Sequence, residues 1–271
     1  MTFDAVHLIY FSPTHTSRTV GKALAKGTGI SKIIETDLTY CAPDNPVVVE
    51  RCLCVVAVPV YGGRVAKTAM QRLEWISGKE SPVVPVVVYG NRDYEDALLE
   101  LTDWTIEHGF VPVAGAAFVG EHSYSRPDRP VAANRPDADD LQVATLLGIE
   151  VMKCVTEVAE PNRLPGLKVK GNRPYKVKGN KTPQAPVVSE ELCTQCGLCA
   201  GICPVGAIAV GEESVSDAES CIKCCACVKE CPQNARIFDT PFTDFLLKKG
   251  IISFPIKKFI LSCNSFTSTP S

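Results

Sequence analysis

The chain has 271 residues, of which 45% are hydrophobic and 21% charged, and this is typical of a globular protein with one large or two modest domains. It has no run of eighteen apolar residues and no secretory signal pattern, which argues against a transmembrane helix and against export. Its fourteen cysteines therefore indicate a reducing, cytoplasmic location and metal binding, and exclude the class of small disulfide-rich secreted domains.

The formal net charge of −2 is unevenly distributed along the chain. Residues 1–160 carry 14 basic and 21 acidic side chains, and residues 184–240 carry 3 basic and 8 acidic ones. Residues 161–183, between them, carry seven basic side chains and no acidic ones. We expect this basic segment to pack against one or both acidic neighbours, and the acidic balance argues against a nucleic-acid partner.

Apolar runs alternate with helical patterns through the first 160 residues. The candidate strands cover residues 6–11, 32–37, 52–60, 83–89 and 110–119. The candidate helices cover approximately residues 18–26, 65–76, 93–108 and 139–158, and we expect five helices in all. This alternation predicts an α/β domain with a doubly wound, five-stranded parallel sheet. Ligands of such sheets bind beyond the carboxyl ends of the strands.

The segment after this domain reads as a linker, since residues 161–187 contain five prolines and a repeated KVKGN, at 168–172 and again at 176–180. The predicted organisation is a first domain over residues 1–160, this basic linker, a second domain over 188–240 and a tail over 241–271.

Two cysteine motifs define the second domain. CTQCGLCAGICP begins at Cys193 and CIKCCACVKECP at Cys221, and both have the spacing C-x2-C-x2-C-x3-C-P. Paired CxxC motifs can also bind zinc, but zinc sites do not normally repeat three cysteines at this spacing and end in CP. The spacing is typical of iron–sulfur binding, and residues 188–240 resemble a bacterial-type two-cluster ferredoxin domain, a small α+β fold.

This resemblance implies two [4Fe–4S] clusters in which the fourth cysteine of each motif binds the other cluster. The first set of ligands would be Cys193, Cys196, Cys199 and Cys231. The second set would be Cys203, Cys221, Cys224 and Cys227. Only Cys224 of the Cys224–Cys225 pair keeps the spacing, so Cys225 is predicted to bind no iron. The remaining cysteines considered, Cys41, Cys52, Cys54 and Cys154, are expected to be buried core thiols.

The loop after the first strand, SPTHTS, resembles the phosphate loop of flavodoxins, in which hydroxyls and amides at a helix N-terminus bind the phosphate of FMN. The resemblance implies that this loop contributes Ser12, Thr14, His15, Thr16 and Ser17. His15 stands where glycine is common in flavodoxins, which leaves the backbone path of the loop open. A simple capped turn is the alternative interpretation of this stretch taken alone.

Two further loops support FMN binding, because they follow the third and fourth strands, where flavodoxins contact the flavin ring. The first contributes Pro59, Val60, Tyr61, Gly62 and Gly63, with Tyr61 expected to stack on the ring. The second contributes Tyr89, Gly90, Asn91 and Tyr94, with Tyr94 expected as a second aromatic wall. In the loop after the fifth strand, His122 either lies near the flavin ring or caps its own loop.

Residues 4–240 as a whole resemble the flavodoxin–ferredoxin fusion proteins of anaerobes, the EFR1-family ferredoxins. The resemblance implies FMN and two [4Fe–4S] clusters, but no particular substrate. We therefore expect a carrier that passes electrons between the clusters and FMN and exchanges them with a redox protein partner, a ferredoxin or an oxidoreductase. The alternative is an FMN-dependent reductase of a small oxidant such as a quinone, a metal ion or an oxidised thiol, although no catalytic constellation and no nucleotide fingerprint are recognisable.

A redox-sensing module is a third, weaker hypothesis, since no output element is visible in the sequence. The tail mixes apolar residues with lysine pairs at 248–249 and 257–258. This pattern suits either a segment packed on one of the domains, which we expect, or an anchor at a membrane surface.

Overall fold

The computed structural model describes residues 2–157, 166–179 and 182–239, together with the backbone of residues 258–261. The strands of the first domain are β1 (Ala5–Tyr10), β2 (Ile33–Asp37), β3 (Val47–Val49), β4 (Cys52–Tyr61), β5 (Arg64–Val65), β6 (Ile76–Gly78), β7 (Ser81–Tyr89), β8 (Phe110–Pro112) and β9 (Ala114–Val119). Its helices are α1 (Thr16–Gly27), α2 (Lys67–Leu73), α3 (Ala97–Glu107) and α4 (Ala138–Glu157).

Five parallel strands form the centre of the main sheet in the order β2–β1–β4–β7–β9. Numbered along the chain, this is the order 2-1-3-4-5, which defines the flavodoxin-like form of the doubly wound fold. The predicted α/β class and the five parallel strands are therefore confirmed. The segment predicted as one fifth strand is divided at Val113, so that β8 and β9 both pair with β7.

The edge of the sheet beyond β9 carries one further strand, β14 (Lys258–Leu261), which pairs with β9 in the antiparallel direction. These four residues are the described part of the tail, and the rest of residues 241–271 lies outside the described residues. Whether the tail as a whole packs on a domain stays a prediction.

The expectation of five helices was wrong, since residues 2–157 contain four. The chain between β2 and β4 forms a loop and the short strand β3, which pairs with β6. Pro43 and Pro46 lie in this stretch with Asp44 and Asn45 between them, a sequence that favours turns and interrupts helices.

Two apolar layers enclose the sheet, one on each face. Helices α1 and α4 cover one face and α2 and α3 the other. Glycine allows α1 and α4 to pack closely, because a Cβ added at Gly27 would lie 2.0 Å from the carbonyl oxygen of Thr145. Runs such as that of β4, which is buried over seven consecutive residues, are typical of a parallel strand covered on both faces.

The cysteines of this domain only partly follow the expectation of buried core thiols. Cys52 and Cys54 are buried free thiols on β4. Cys41 is exposed, because it begins the proline-containing loop after β2, and for this residue the expectation was wrong. Cys154 is buried on α4 but is disulfide-bonded, so it is not the free thiol that we expected.

The basic segment packs on the first domain through residues 166–179, which we call the strap. Asp96 is 1% exposed and accepts hydrogen bonds from the backbone N–H groups of Asn172 at 2.8 Å and Lys176 at 2.7 Å. Lys170 forms an ion pair with Asp93 at 2.8 Å. Further contacts join Arg173 and Tyr175 to Asp103, Lys176 to Glu95, and Arg64 to the carbonyl of Lys176. The strap therefore packs on an acidic surface, as expected from its charge.

The second domain consists of two similar halves. Its elements are β10 (Val187–Val188), α5 (Leu198–Gly201), β11 (Ile208–Val210), β12 (Ser214–Ser216), α6 (Ala226–Lys229) and β13 (Arg236–Ile237). The hairpin pairs β11 with β12, and β10 pairs with β13, both antiparallel. Each short helix follows a residue in the left-handed conformation, Gly197 with φ 77° and Cys225 with φ 59°. Neither these helices nor any other in the described parts of the chain is long and apolar enough to cross a membrane.

Candidate functional site

A cavity of about 520 Å³ lies at the carboxyl ends of β1, β4, β7 and β9, which is where the doubly wound fold places its ligands. Residues predicted to bind flavin form much of its wall. Those that line it are Thr14, Thr16, Pro59, Val60, Tyr61, Gly62, Gly63, Tyr89 and Gly90. The three loops predicted from the sequence therefore meet at one cavity.

The loop before α1 has the features of an anion site. His15 precedes the helix with φ 63°, so a left-handed residue occupies the position where glycine is common. The hydroxyl of Ser12 accepts the N–H of Arg18 at 3.1 Å, and neither Ser12 nor His15 lines the cavity. Ser17 does not line it either, but its buried hydroxyl has no hydrogen-bond partner among the described residues. This buried hydroxyl and the helix N-terminus fit a phosphate group.

The glycine pair forms the tight turn between β4 and β5. Gly62 and Gly63 have φ values of 65° and 82°, in the left-handed region that a two-residue hairpin turn requires. A Cβ added at Gly62 would meet no atom within 4 Å, whereas one at Gly63 would lie 2.1 Å from Oε2 of Glu95. Glycine at position 62 therefore leaves open space beside the turn, and glycine at position 63 allows the turn to lie close to the loop before α3.

Two predicted contacts of the second ring loop are not formed at the cavity. Tyr94 is 4% exposed and packs into the core, with its ring 5.5 Å from that of Tyr89 and the ammonium of Lys170 5.1 Å from its centroid. Asn91 has φ 62° and donates its N–H to the carbonyl of Tyr89. Neither residue lines the cavity, although Arg92 and Asp93 between them do.

The loop after β9 supplies aromatic side chains instead. His122 and Tyr124 both line the cavity, with ring centroids 5.0 Å apart. Nδ1 of His122 accepts the N–H of Tyr124 at 3.0 Å, so His122 also shapes its own loop. Burial lowers the pKa of His122 to about 4 and raises the pKa of Tyr124. Both rings are therefore neutral at pH 7, which suits contact with a planar, uncharged ring system.

The second domain forms part of the cavity wall, through Ile222 and Lys223 of the second cysteine motif. Neither residue was predicted from the sequence, because no local pattern distinguishes them from other residues of a cysteine loop. Only knowledge of which surface of the second domain packs on the first domain could have identified these two residues.

Several contacts hold the second domain in this position. Lys229 forms an ion pair with Glu121 at 2.7 Å, and Arg126 forms one with Asp239 at 2.8 Å. Other contacts join Arg72 to the carbonyl of Pro204 at 2.7 Å, the ring of Tyr124 to that of Phe238 at 5.2 Å between centroids, and His15 to Glu230 at 3.8 Å. The contacts include opposite charges, a backbone acceptor and an aromatic pair, and they surround the motif that faces the cavity.

The cysteines of the second domain surround two smaller cavities. The first is bordered by Cys193, Cys196, Cys199 and Cys231, and the second by Cys203, Cys221, Cys224 and Cys227, with Cys225 beside them. Each cavity thus combines three cysteines of one motif with the last cysteine of the other. This is the grouping that the resemblance to ferredoxins implied, and the assignment of each thiol as an iron ligand stays a prediction.

Backbone N–H groups point at several of these sulfur atoms. The N–H of Ala207 donates to Cys203 at 3.2 Å, that of Ala235 to Cys231 at 3.3 Å, and that of Lys223 to Cys221 at 3.4 Å. Burial raises the pKa of Cys224 and of Cys227 to about 12. Thiolates at these positions need a nearby positive charge, which iron would supply, so the donor set fits a cluster.

Cys225 occupies a position equivalent to Gly197 of the first motif, since both are left-handed and both precede a short helix. Its thiol is 2% exposed and donates to the carbonyl of Lys223 at 3.7 Å. This contact suits a thiol that keeps its proton, and that Cys225 binds no iron stays a prediction. Among the described residues, no group of three or more His, Cys, Asp or Glu side chains is arranged to hold a single metal ion.

Comparison with known proteins identifies the second domain. The family of 4Fe–4S binding domains matches residues 186–209 and 215–237. Residues 186–237 thus form a 4Fe–4S ferredoxin domain, and the first domain has the flavodoxin-like strand order. The chain therefore joins a domain with the flavodoxin-like strand order to a 4Fe–4S ferredoxin domain.

One curated relative of this chain is the polyferredoxin protein MvhB of Methanothermus fervidus, which is 39% identical over 72 residues. The match covers 26% of the chain and only 18% of that protein. A flavodoxin from Streptococcus pneumonia matches with 13% identity and a TM-score of 0.41 over 57% of the chain and 99% of its own length. Rubredoxin oxygen:oxidoreductase from Desulfovibrio gigas matches with 11% identity and a TM-score of 0.41 over 58% of the chain and 37% of its own length.

Proposed function

We propose that this chain is an electron-transfer flavo-iron–sulfur protein that binds FMN and two [4Fe–4S] clusters. It passes electrons between the clusters and FMN, and on to or from a redox protein partner. One observation carries the proposal: Ile222 borders both the large cavity of the first domain and the second cysteine cavity. Because electron transfer weakens steeply with distance, two redox sites that share one wall residue support exchange between them.

The residues that would hold FMN are those of the three loops at the large cavity. Thr14, Thr16 and the buried hydroxyl of Ser17 provide neutral donors for the phosphate at the start of α1. Tyr61 and Tyr89 provide aromatic surface for the ring. Bound FMN supplies uptake of one or two electrons, and the clusters supply uptake of single electrons.

The two cysteine sites differ in exposure, which supports different roles. Cys224 and Cys227 of the second site are 8% and 7% exposed, whereas Cys196 of the first site is an exposed residue. The second site shares Ile222 with the large cavity, whereas the first site shares no lining residue with it. We place the contact with a redox protein partner, a ferredoxin or an oxidoreductase, at the first site.

A reductase of a small oxidant is less well supported by the side chains around the cavity. Such an enzyme would use His122, Tyr124 or Arg126 to supply protons or to bind the oxidant. The low pKa of His122 leaves it without a proton to donate at pH 7, and Arg126 forms an ion pair with Asp239 of the ferredoxin domain. The compartment that we propose is the cytoplasm, where the iron–sulfur thiolates remain reduced.

Anaerobic purification followed by assays of iron, sulfide and FMN tests the cofactors. We expect about eight iron atoms and one FMN per chain. Stopped-flow mixing with a chemically reduced ferredoxin then tests the function. Flavin reduction that stops until an acceptor protein is added supports the carrier, whereas steady, saturable turnover of a small oxidant supports the reductase. Zinc in place of iron, or a protein without affinity for FMN, would contradict the proposal.

A further inference from the structure

The flavin cavity is not closed by the flavodoxin-like domain alone. The loops after β1, β4, β7 and β9 supply most of its wall, and the remainder comes from Ile222 and Lys223 of the ferredoxin domain. Ile222 also packs against the apolar core layer of the first domain, as Tyr61 does. These two residues are therefore part of the cavity's structure and are not merely its neighbours.

The position of Lys223 is determined by the cysteine loop that carries it. Its backbone is left-handed, with φ 59°, its N–H donates to the sulfur of Cys221, and its carbonyl accepts from the thiol of Cys225. A change in this loop must therefore move the cavity wall. The contacts between Lys229 and Glu121 and between Arg72 and Pro204 keep the loop pressed against the first domain.

The charges at the cavity give Lys223 a distinct role. The ionisable side chains that line it include two cations, Arg92 and Lys223, and two carboxylates, Asp93 and Glu121. Arg92 forms an ion pair with Glu95, Asp93 with Lys170 and Glu121 with Lys229. Replacing Lys223 by a neutral residue therefore makes the cavity wall more negative by one charge. Such a change disfavours any ligand that carries negative charge, as FMN does through its phosphate.

We propose that Ile222 and Lys223 are flavin-binding residues, so that the ferredoxin domain completes the FMN site and FMN affinity depends on its second cysteine loop. Ile222 contributes apolar contact to the ring and Lys223 contributes positive charge. This inference rests on the proposed function, because it requires that the cavity binds FMN. By linkage, loading of the cluster that orders this loop raises the affinity for FMN, and bound FMN stabilises the docked loop in return.

FMN titration of the cluster-loaded, FMN-depleted protein under anaerobic conditions, followed by quenching of flavin fluorescence, tests the proposal. We expect Ile222→Ala to raise the Kd about tenfold, through lost apolar contact. Lys223→Gln should raise it severalfold, and this effect should shrink as salt is added. Ile237→Ala and Lys153→Gln are matched controls at exposed positions that line none of the three cavities, and they should leave the Kd unchanged.

Riboflavin, which lacks the phosphate, separates ring contacts from phosphate contacts. Ile222→Ala should weaken riboflavin binding by the same factor as FMN binding. Iron and sulfide assays of each variant show whether its clusters are retained. If Ile222→Ala loses iron, Ile222→Val replaces it, with an expected increase in Kd of about threefold.

The outcomes are distinguishable. Wild-type protein that binds no FMN would overturn the proposed function and with it this inference. Wild-type protein that binds FMN, together with cluster-loaded Ile222 and Lys223 variants whose Kd matches that of the controls, would overturn the inference alone.

Discussion

Asp96 is the main attachment point of the strap, and Asp96→Asn should release it. The carboxylate is 1% exposed, and its two oxygens accept the N–H groups of Asn172 and Lys176 and the side-chain amide of Asn172. The hydrogen bond from Lys176 is the largest cause of the lowered pKa of Asp96. A carboxylate can accept from both backbone donors, whereas an asparagine amide offers one oxygen and directs an NH₂ group at one of them.

The expected loss is about 2–3 kcal/mol, for one hydrogen bond to a charged acceptor and one buried N–H left without a partner. This corresponds to roughly a 30- to 150-fold increase in the population of the open strap. The sign of the pH dependence follows from the lowered pKa. The stabilisation is present above the ordinary value of 3.8 and is lost as pH falls through the folded-state value, and Asp96→Asn should remove this dependence.

Trypsin digestion of the native protein measures strap opening. The strap contains Lys168, Lys170, Lys176 and Lys178, and cleavage there reports the open population when closing is faster than cutting. Asp44→Asn, at an exposed position in the loop before β3, is the control and should be cut at the wild-type rate. A strap that is cut at similar rates in Asp96→Asn, Asp44→Asn and wild type would refute the reasoning.

Three further predictions concern the cofactor sites and the contact between the domains. Thr16→Ala should weaken FMN binding about tenfold in fluorescence titrations and leave riboflavin binding unchanged, and equal weakening of both would contradict a phosphate contact. Cys224→Ala should lose about half of the iron while Cys225→Gly keeps all of it, and the opposite result would show that Cys225 is the ligand. Burial alone would raise the pKa of Glu121, but the hydrogen bond and charge of Lys229, together with hydrogen bonds from Ser125 and Asn134, outweigh it and lower that pKa. The contribution of Lys229 to docking is therefore present above the ordinary value of 4.5 and lost as pH falls through the lower folded-state value. Lys229→Met should remove this step from a pH series of thermal unfolding followed by cluster absorbance, and an unchanged series would contradict a docking role for the pair.

Local sequence patterns were sufficient for the sheet, and the resemblance to ferredoxins implied the grouping of the cysteines around two cavities. An apolar run such as that of β4 identifies a strand covered on both faces, because both faces of a parallel strand are buried. The first three cysteines of each motif surround one small cavity, and the last cysteine of each motif lies at the other cavity. Loops at the carboxyl ends of parallel strands meet at one edge of the sheet, so the meeting of the Thr16, Tyr61 and Tyr89 loops also followed from strand positions.

Features that depend on packing were not predictable in the same way. Tyr94 lies in a loop that reaches the cavity through Arg92 and Asp93, but its side chain is buried in the core beside Tyr89. Cysteine is a residue type that is usually buried, but Cys41 lies at the surface. Ile222 and Lys223 contribute to the cavity only through docking of a second domain, and no single segment of sequence carries information about that contact.

Net charge shows why the docking of the two domains could not be predicted from the sequence. Both domains are acidic, so a calculation from composition alone predicts that they repel each other. At the contact, however, each domain presents a cation to a carboxylate of the other, as Lys229–Glu121 and Arg126–Asp239. The repulsion between distant charges is screened beyond about 8 Å at physiological salt, whereas partly buried pairs are screened much less. A few side chains far apart in sequence therefore decide which face of the ferredoxin domain meets the flavin cavity, and the total charge does not.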